Sequence, residues 1–220
     1  MKKAILFGAS GFVGGYLLRE LLQSDIYNEV TIVVRKPINI QHPKLKMVLA
    51  DYHSLAQNKE YLISDDVFIS LGTTKKKTPD QKEYYQIDHD YPVLAAQLTK
   101  ANGATSVMLV SAVGANVKSS IFYTKTKGET ERDVIATDFD HTHIFRPSMI
   151  MGNRGENRPL ERAFIKIFSV ANLLLVGKLN KYKGITAENI AKAMLKAAQQ
   201  PIEKVKVYHW KEMKELCSSF

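Results

Sequence analysis

The feature that most restricts this chain is Gly8-Ala9-Ser10-Gly11-Phe12-Val13-Gly14, which reads G-x-x-G-x-x-G. The apolar run Ala4–Phe7 precedes it directly. The stretch Phe12–Leu22 follows, with Val13, Leu17 and Leu21 on one helical face and Leu18 and Leu22 beside them. Strand, tight turn and amphipathic helix in that order predict a βα unit. Three glycines in such a turn have three separate uses. One lets the chain turn tightly, one lets backbone N–H groups approach a pyrophosphate, and one lets the helix pack close to the sheet. Gly8, Gly11 and Gly14 hold these positions. The helix N-terminus then offers unpaired N–H donors and partial positive charge to phosphate groups.

The same alternation continues. Strand-like runs sit at Val30–Val34, Lys46–Leu49, Asp66–Leu71, Ser106–Val110 and His143–Phe145. Such uninterrupted apolar runs suit parallel strands buried on both faces. Helices are predicted at Asp80–Ala101, with a kink or late start at Pro92, and at Ser119–Ala136, opened by a serine pair suited to capping. The expected fold is α/β, a Rossmann-type doubly wound parallel sheet. After Pro147 the pattern loosens. Gly152-Asn153-Arg154-Gly155 reads as a loop, Leu160–Val176 and Ala187–Gln199 as helices, Val205–Tyr208 as a strand and Lys211–Leu216 as a last helix. A single domain over 1–220 is expected, in which about 148–220 forms a small substrate-side lobe.

Composition excludes several classes. The apolar and charged fractions, 45% and 24%, are those of a folded globular chain. One cysteine, Cys217, cannot form an internal disulfide. The longest late apolar stretch, Ile167 to Val176, is far short of the roughly 20 residues of a membrane span. The glycines interrupt any signal-like character of the first residues. A cytoplasmic protein without a membrane span is therefore expected. The formal net charge is +9. Lys75-Lys76-Lys77 is its densest run, without the aromatic ladder or recognition helix of a specific nucleic-acid site. His141 and His143 alternate on a strand, but no third metal ligand is evident, and strand-edge residues are the expectation. Ile165, Phe168 and Asn172 have near-helical spacing, which suggests core packing.

The second strand ends Val33-Val34-Arg35-Lys36. An acidic residue there would meet the ribose hydroxyls of NAD, whereas a basic one accommodates the 2′-phosphate of NADP. Arg35 and Lys36 thus point to NADP(H) rather than NAD(H). Asp51, after the third strand, can meet an adenine or simply cap a turn. Tyr123-Thr124-Lys125-Thr126-Lys127 is Y-x-x-x-K, which places the phenol and the ammonium on one helical face. A lysine beside a phenol favours the phenolate and is expected to lower the tyrosine pKa from about 10. Ser111, at the end of the fifth strand, could hold a carbonyl oxygen.

The glycine turn, Tyr123 with Lys127, and Arg146-Pro147 together resemble the short-chain dehydrogenase/reductase superfamily, in its atypical or extended branch. Leu71-Gly72-Thr73-Thr74, Asp88-His89-Asp90-Tyr91, Lys127-Gly128-Glu129 and Asn157-Arg158-Pro159 are similar to the Tat-interactive-protein type of oxidoreductase and its bacterial relatives. The resemblance covers nearly the whole chain. It implies NADP(H), with Ser10, Gly11, Phe12 and Val13 around the pyrophosphate and Arg35 and Lys36 at the 2′-phosphate. Leu71 and Gly72 would line the adenosine side, and Ile150 and Arg158 would close over the cofactor. Tyr123 and Lys127 would be the catalytic pair, acting on a small-molecule substrate such as a carbonyl compound. Many extended members carry a serine or threonine two residues past Ser111, where this chain has Val113. That departure keeps open a cofactor-binding regulator with a protein partner and little turnover. A monomer or homodimer is expected.

Overall fold

The structure is a computed structural model, and it describes residues 1–152, 175–200 and 204–218. Seven parallel strands form one sheet: β1 (Lys2–Phe7), β2 (Tyr27–Val34), β3 (Leu45–Leu49), β4 (Asp66–Ile69), β5 (Ser106–Val110), β6 (His141–Phe145) and β9 (Val205–Tyr208). Their spatial order is β3-β2-β1-β4-β5-β6-β9. The order reverses between β1 and β4, and the carboxyl ends of these two strands open a crevice there. A second sheet pairs β7 (Ile150–Met151) with β8 (Ile185–Thr186). This is the Rossmann-type α/β fold that the alternating pattern predicts.

The helices cover both faces of the large sheet. On one face, α1 (Phe12–Gln23), α5 (Ala187–Ala197) and α6 (Trp210–Ser218) pack Leu17, Leu21, Ile190, Met194 and Met213 against Ala4, Leu6 and Ile32. On the other, α3 (Tyr91–Ala101) and α4 (Phe122–Ile135) pack Ala95, Ala96 and Val134 against Ile5, Val67 and Leu109. Leu17 and Leu21 are fully buried, and each such side chain contributes about 1.5–3 kcal/mol on leaving water.

Local detail departs from the sequence reading in places. The stretch Asp80–Ala101 is α2 (Gln81–Tyr85), a π-turn (Gln86–Asp90) and α3, so the interruption expected at Pro92 takes the form of a π-turn just before it. In an α-helix the Asp88 carbonyl would bond the N–H of residue 92, which proline lacks. The Thr130 hydroxyl of α4 lies 2.8 Å from that carbonyl and 2.8 Å from the Thr126 carbonyl, and its one proton is shared between them. The serine pair does not cap α4. Its N-cap is Ile121, whose N–H donates to Ser119 Oγ. A 3₁₀ segment at Leu55–Tyr61 was not expected.

The tail after Pro147 does not gather into one lobe among the described residues. β9 joins the large sheet beside β6, α5 joins the face of α1, and only β7 and β8 form a separate small sheet. The predicted helix Leu160–Val176 falls almost wholly outside the described residues. So do most of the loop from Gly152 to Gly155, all of Ile165, Phe168 and Asn172, and Arg158.

Candidate dinucleotide and active site

The glycine turn stands at the switch point, between the ends of β1 and β4. Gly8 has φ +93°, in the region that favours glycine, and a Cβ on it would meet Ser70 at 2.9 Å. A Cβ on Gly14 would lie 1.9 Å from the Gly8 carbonyl oxygen, so α1 can start this close to the sheet only with glycine there. Gly11 N–H donates to the Gly8 carbonyl at 2.9 Å and closes the turn. Gly11 is the N-cap of α1, with no side-chain cap and no acid in the first turn. By contrast, Asp80 caps α2 and Thr186 caps α5 with their own oxygens. An uncapped helix start behind a turn that a Cβ would fill fits the pyrophosphate of a dinucleotide.

A cavity of about 590 Å³ opens over this turn. Gly8, Ser10, Gly11, Arg35, Asp51, Leu71 and Gly72 line it, as the sequence led one to expect. Ser70, Tyr52, His53, Thr73 and Lys77 line it too and were missed. Lys77 belongs to the basic run Lys75-Lys76-Lys77. The run lies in a turn closed by Lys77 and Thr78 N–H bonds to the Thr74 carbonyl, and this turn brings Lys77 to the cavity. The local sequence carries no signal for that, because the turn is held by Thr73–Thr78 and Thr73–Asp88 contacts.

Other expected ligands stand elsewhere. Lys36 is exposed and does not line the cavity, so Arg35 is the cation that β2 delivers there. The Val13 side chain is buried in the core, which leaves only its backbone for a phosphate. Phe12 packs edge-on against Tyr16 and lies against Gly152, whose Cβ would come within 2.8 Å of the Phe12 ring. Ile150, in β7, is half-buried against the same core cluster as Ala9 and Val13. Asp51 Oδ1 accepts the N–H groups of His53 and Ser54 and the Ser54 hydroxyl, and these bonds hold its carboxyl below the usual range. It is thus both turn cap and cavity wall.

A second cavity of about 520 Å³ adjoins the first and shares Thr73 and Thr78 with it. Pro79, Tyr84, Ile121, Phe122 and Tyr123 give it mainly apolar walls, and Lys75 stands among its lining residues. Tyr84 meets the Phe122 ring edge-on at 5.6 Å. Tyr123 is 42% exposed, whereas Lys127, one turn further along α4, is 6% exposed. The Lys127 ammonium lies 2.7 Å from Oδ1 of Asp88, a carboxylate with no exposure at all. The contact is ionic, for its angles fall outside hydrogen-bond geometry. Asp88 Oδ2 accepts the Thr73 N–H at 2.7 Å.

This arrangement corrects the expectation for Tyr123. Its pKa is raised, not lowered. Desolvation by the packed wall exceeds the lowering by Lys127, and Asp88 adds to the rise, while the exposed part of the ring keeps the effect screened. Ser111 also differs from expectation. It is buried, and its hydroxyl donates to Glu131 Oε1 at 2.5 Å. Glu131 is held in turn by the Arg146 guanidinium, Nε to Oε1 at 2.9 Å and Nη2 to Oε2 at 2.5 Å. The Ser111 proton therefore serves a buried network joining β5, α4 and the end of β6. Near β6, His143 is buried with its Nδ1 2.8 Å from the Tyr208 hydroxyl. Among the described residues no group of three or more His, Cys, Asp or Glu side chains gathers as a metal site would require.

A seven-stranded parallel sheet with a glycine turn at its switch point and a cavity above it defines a Rossmann dinucleotide-binding protein. The chain belongs to the family described as NAD(P)H-binding, which it matches over residues 8–201. It is 33% identical over 210 residues to protein FMP52, mitochondrial, of Candida glabrata, covering 91% of this chain and 87% of that protein. It is also 33% identical over 171 residues to protein HTATIP2 of Rattus norvegicus, covering 76% and 70%. These relatives bear out the resemblance drawn from the LGTT and Y-x-x-x-K elements. Among solved structures, MoeE5 with UDP-glucose and NAD superposes with a TM-score of 0.68 at 18% identity, over 96% of this chain and 79% of that one. The Bordetella bronchiseptica enzyme WbmH with NAD+ gives 0.69 at 16%, over 95% and 75%. Both show the fold.

The expectation of a cytoplasmic protein is overturned by the relatives. Those from Candida glabrata, Candida albicans and Saccharomyces cerevisiae are named as mitochondrial proteins. A single cysteine precludes an internal disulfide, and it does not say in which compartment the chain resides. Among the described residues no helix is long and apolar enough to cross a membrane.

Proposed function

We propose that the protein is an oxidoreductase that uses NADP(H) to move hydride to or from a carbonyl or alcohol substrate. The observation that carries this reading is the position of Tyr123. It stands on the wall of a mainly apolar cavity that shares Thr73 and Thr78 with the dinucleotide cavity. A substrate there would have its carbonyl oxygen beside a phenol. Bound in the adjoining cavity, the nicotinamide would supply the hydride. Tyr123 would give the proton to the carbonyl oxygen in the reductive direction, and its raised pKa keeps it protonated for that step. Lys127, held by Asp88 beneath Gly72, would orient the nicotinamide ribose. Arg35 and Lys77 would meet phosphate groups, with Lys36 flanking them, and this cationic set favours NADP(H) over NAD(H). Ile150, in β7, would close over the cofactor. Ser111 has no part in this proposal, because its hydroxyl is committed to Glu131.

The test is a screen of NADPH oxidation against aldehydes, ketones and quinones, repeated with Tyr123→Phe. Losing the phenolic proton should lower turnover by about 10²–10⁴-fold. NADPH affinity should stay near wild type, since the ring remains. Full activity in Tyr123→Phe with unchanged pH dependence would remove the assignment. Tight NADPH binding with no turnover across the panel would favour the cofactor-dependent regulator.

A further inference from the structure

The lysine of the Tyr123–Lys127 pair does not act as a lone charge. Its ammonium is 2.7 Å from Asp88 Oδ1. Both groups are withdrawn from solvent, and each compensates the other for burial. A Cβ added at Gly72 would lie 3.5 Å from Lys127 Nζ and 3.3 Å from Asp88 Oδ1, so the pair sits directly beneath the turn that walls the dinucleotide cavity. Asp88 is itself over-determined. Oδ2 accepts the Thr73 N–H, and the main-chain carbonyl accepts the Thr130 hydroxyl. The π-turn before Pro92 presents the residue to α4 and to the 71–74 turn together.

Opposite charges this close act at a distance as a dipole, whose field falls off faster than that of a single charge. Tyr123 feels Lys127 from its own helix and Asp88 from the π-turn, with opposite sign. Tyr84 faces it from α2, and Lys75 shares the lining of its cavity. We propose that Asp88 is a positioning residue for the catalytic pair, fixing the Lys127 ammonium beneath Gly72 and offsetting part of its charge as felt at the Tyr123 hydroxyl. On this basis the tyrosine works as a protonated donor beside a lysine whose charge is partly offset, and the lysine serves mainly to orient. The role rests on Tyr123 and Lys127 being the catalytic pair.

The test is the ionisation of Tyr123 in the full chain without substrate or cofactor. It is followed by the Cζ resonance in protein carrying isotope-labelled tyrosine and assigned by its loss in Tyr123→Phe. Asp88→Asn keeps the shape and an oxygen for the Thr73 N–H. It should unmask Lys127 and move the Tyr123 midpoint down by on the order of one pH unit. A midpoint that stays in place in folded Asp88→Asn overturns the proposal. Should that variant fail to fold, Asp88→Asn with Lys127→Met removes both charges and strands neither. Its midpoint should stay close to wild type, whereas a rise of about one unit or more would mean that Lys127 had been acting unmasked. The measurement needs no turnover, so Asp88 can fail here while the oxidoreductase reading survives, and the reverse holds for the NADPH screen.

Discussion

At the scale of single residues, the proposed preference for NADP(H) rests on one guanidinium. Arg35 lines the dinucleotide cavity and Lys36 does not, although the two are adjacent at the end of β2. Charge-assisted hydrogen bonds contribute about 1.5–3 kcal/mol, or roughly tenfold to a hundredfold in affinity. NADPH should therefore bind more tightly than NADH by about that factor in calorimetric titration, and Arg35→Ala should erase most of the difference. If the ratio survives the substitution, Lys77 is the better candidate. The residues that local chemistry demands were legible in the sequence. Gly8 and Gly14 are fixed by a positive φ and a close approach, and Tyr123 and Lys127 by helical spacing. Asp88, Lys77, Thr73 and Thr78 were not legible in role, because each acts on a partner that only the fold brings near. Asp88 sits 39 positions before its lysine and on another element. The motif Asp88-His89-Asp90-Tyr91 entered only as part of a resemblance, and the proline four residues after Asp88 signals a carbonyl in need of a donor.

At the scale of elements, the joint between α2 and α3 is held by a side chain from α4. Thr130→Val keeps the shape of that side chain and removes the hydroxyl whose one proton the Asp88 and Thr126 carbonyls share. A buried acceptor left unpaired costs about 1–3 kcal/mol, which chemical denaturation of the variant should register. An unchanged midpoint of denaturation would mean that the π-turn needs no such donor. The contact between β6 and β9 carries a pH dependence of definite sign. Burial lowers His143 from 6.5 to about 4, with positive charge at His141 and Lys206 adding to the effect. The unfolded chain thus takes up the proton first as pH falls. Stability should be fully present above about pH 6.5 and decline toward pH 4, by at most about 3 kcal/mol. His209 is also lowered, by burial and by Arg146, so the comparison must be with His143→Gln, whose melting temperature should vary less across that window. The parallel strands were legible because continuous apolar runs leave few alternatives. Joints such as the π-turn and the 3₁₀ segment were not, since tertiary donors rather than local preference decide them.

At the scale of the whole molecule, a cofactor that binds only the folded chain should stabilise it by mass action. Saturation to about a hundred times the dissociation constant contributes about 2.7 kcal/mol. The melting temperature should therefore climb with NADPH concentration and lag with NADH; equal curves would contradict the role given to Arg35. The net charge of +9 suits such a ligand without defining it, and the charges that matter are the few that line the crevice. The position of β9 has a consequence for how the chain is made. Consecutive parallel strands cannot close as hairpins, so each pairing waits for a crossover to be completed. β6 pairs with β5 from residue 141 onward, but its other edge is covered only when Val205–Tyr208 has been synthesised. Throughout that interval a nascent chain displays an open row of backbone donors and acceptors along His143 to Phe145, which is a template for the wrong partner. The strand Val205–Tyr208, made well after β6, is thus the one that covers this edge of β6.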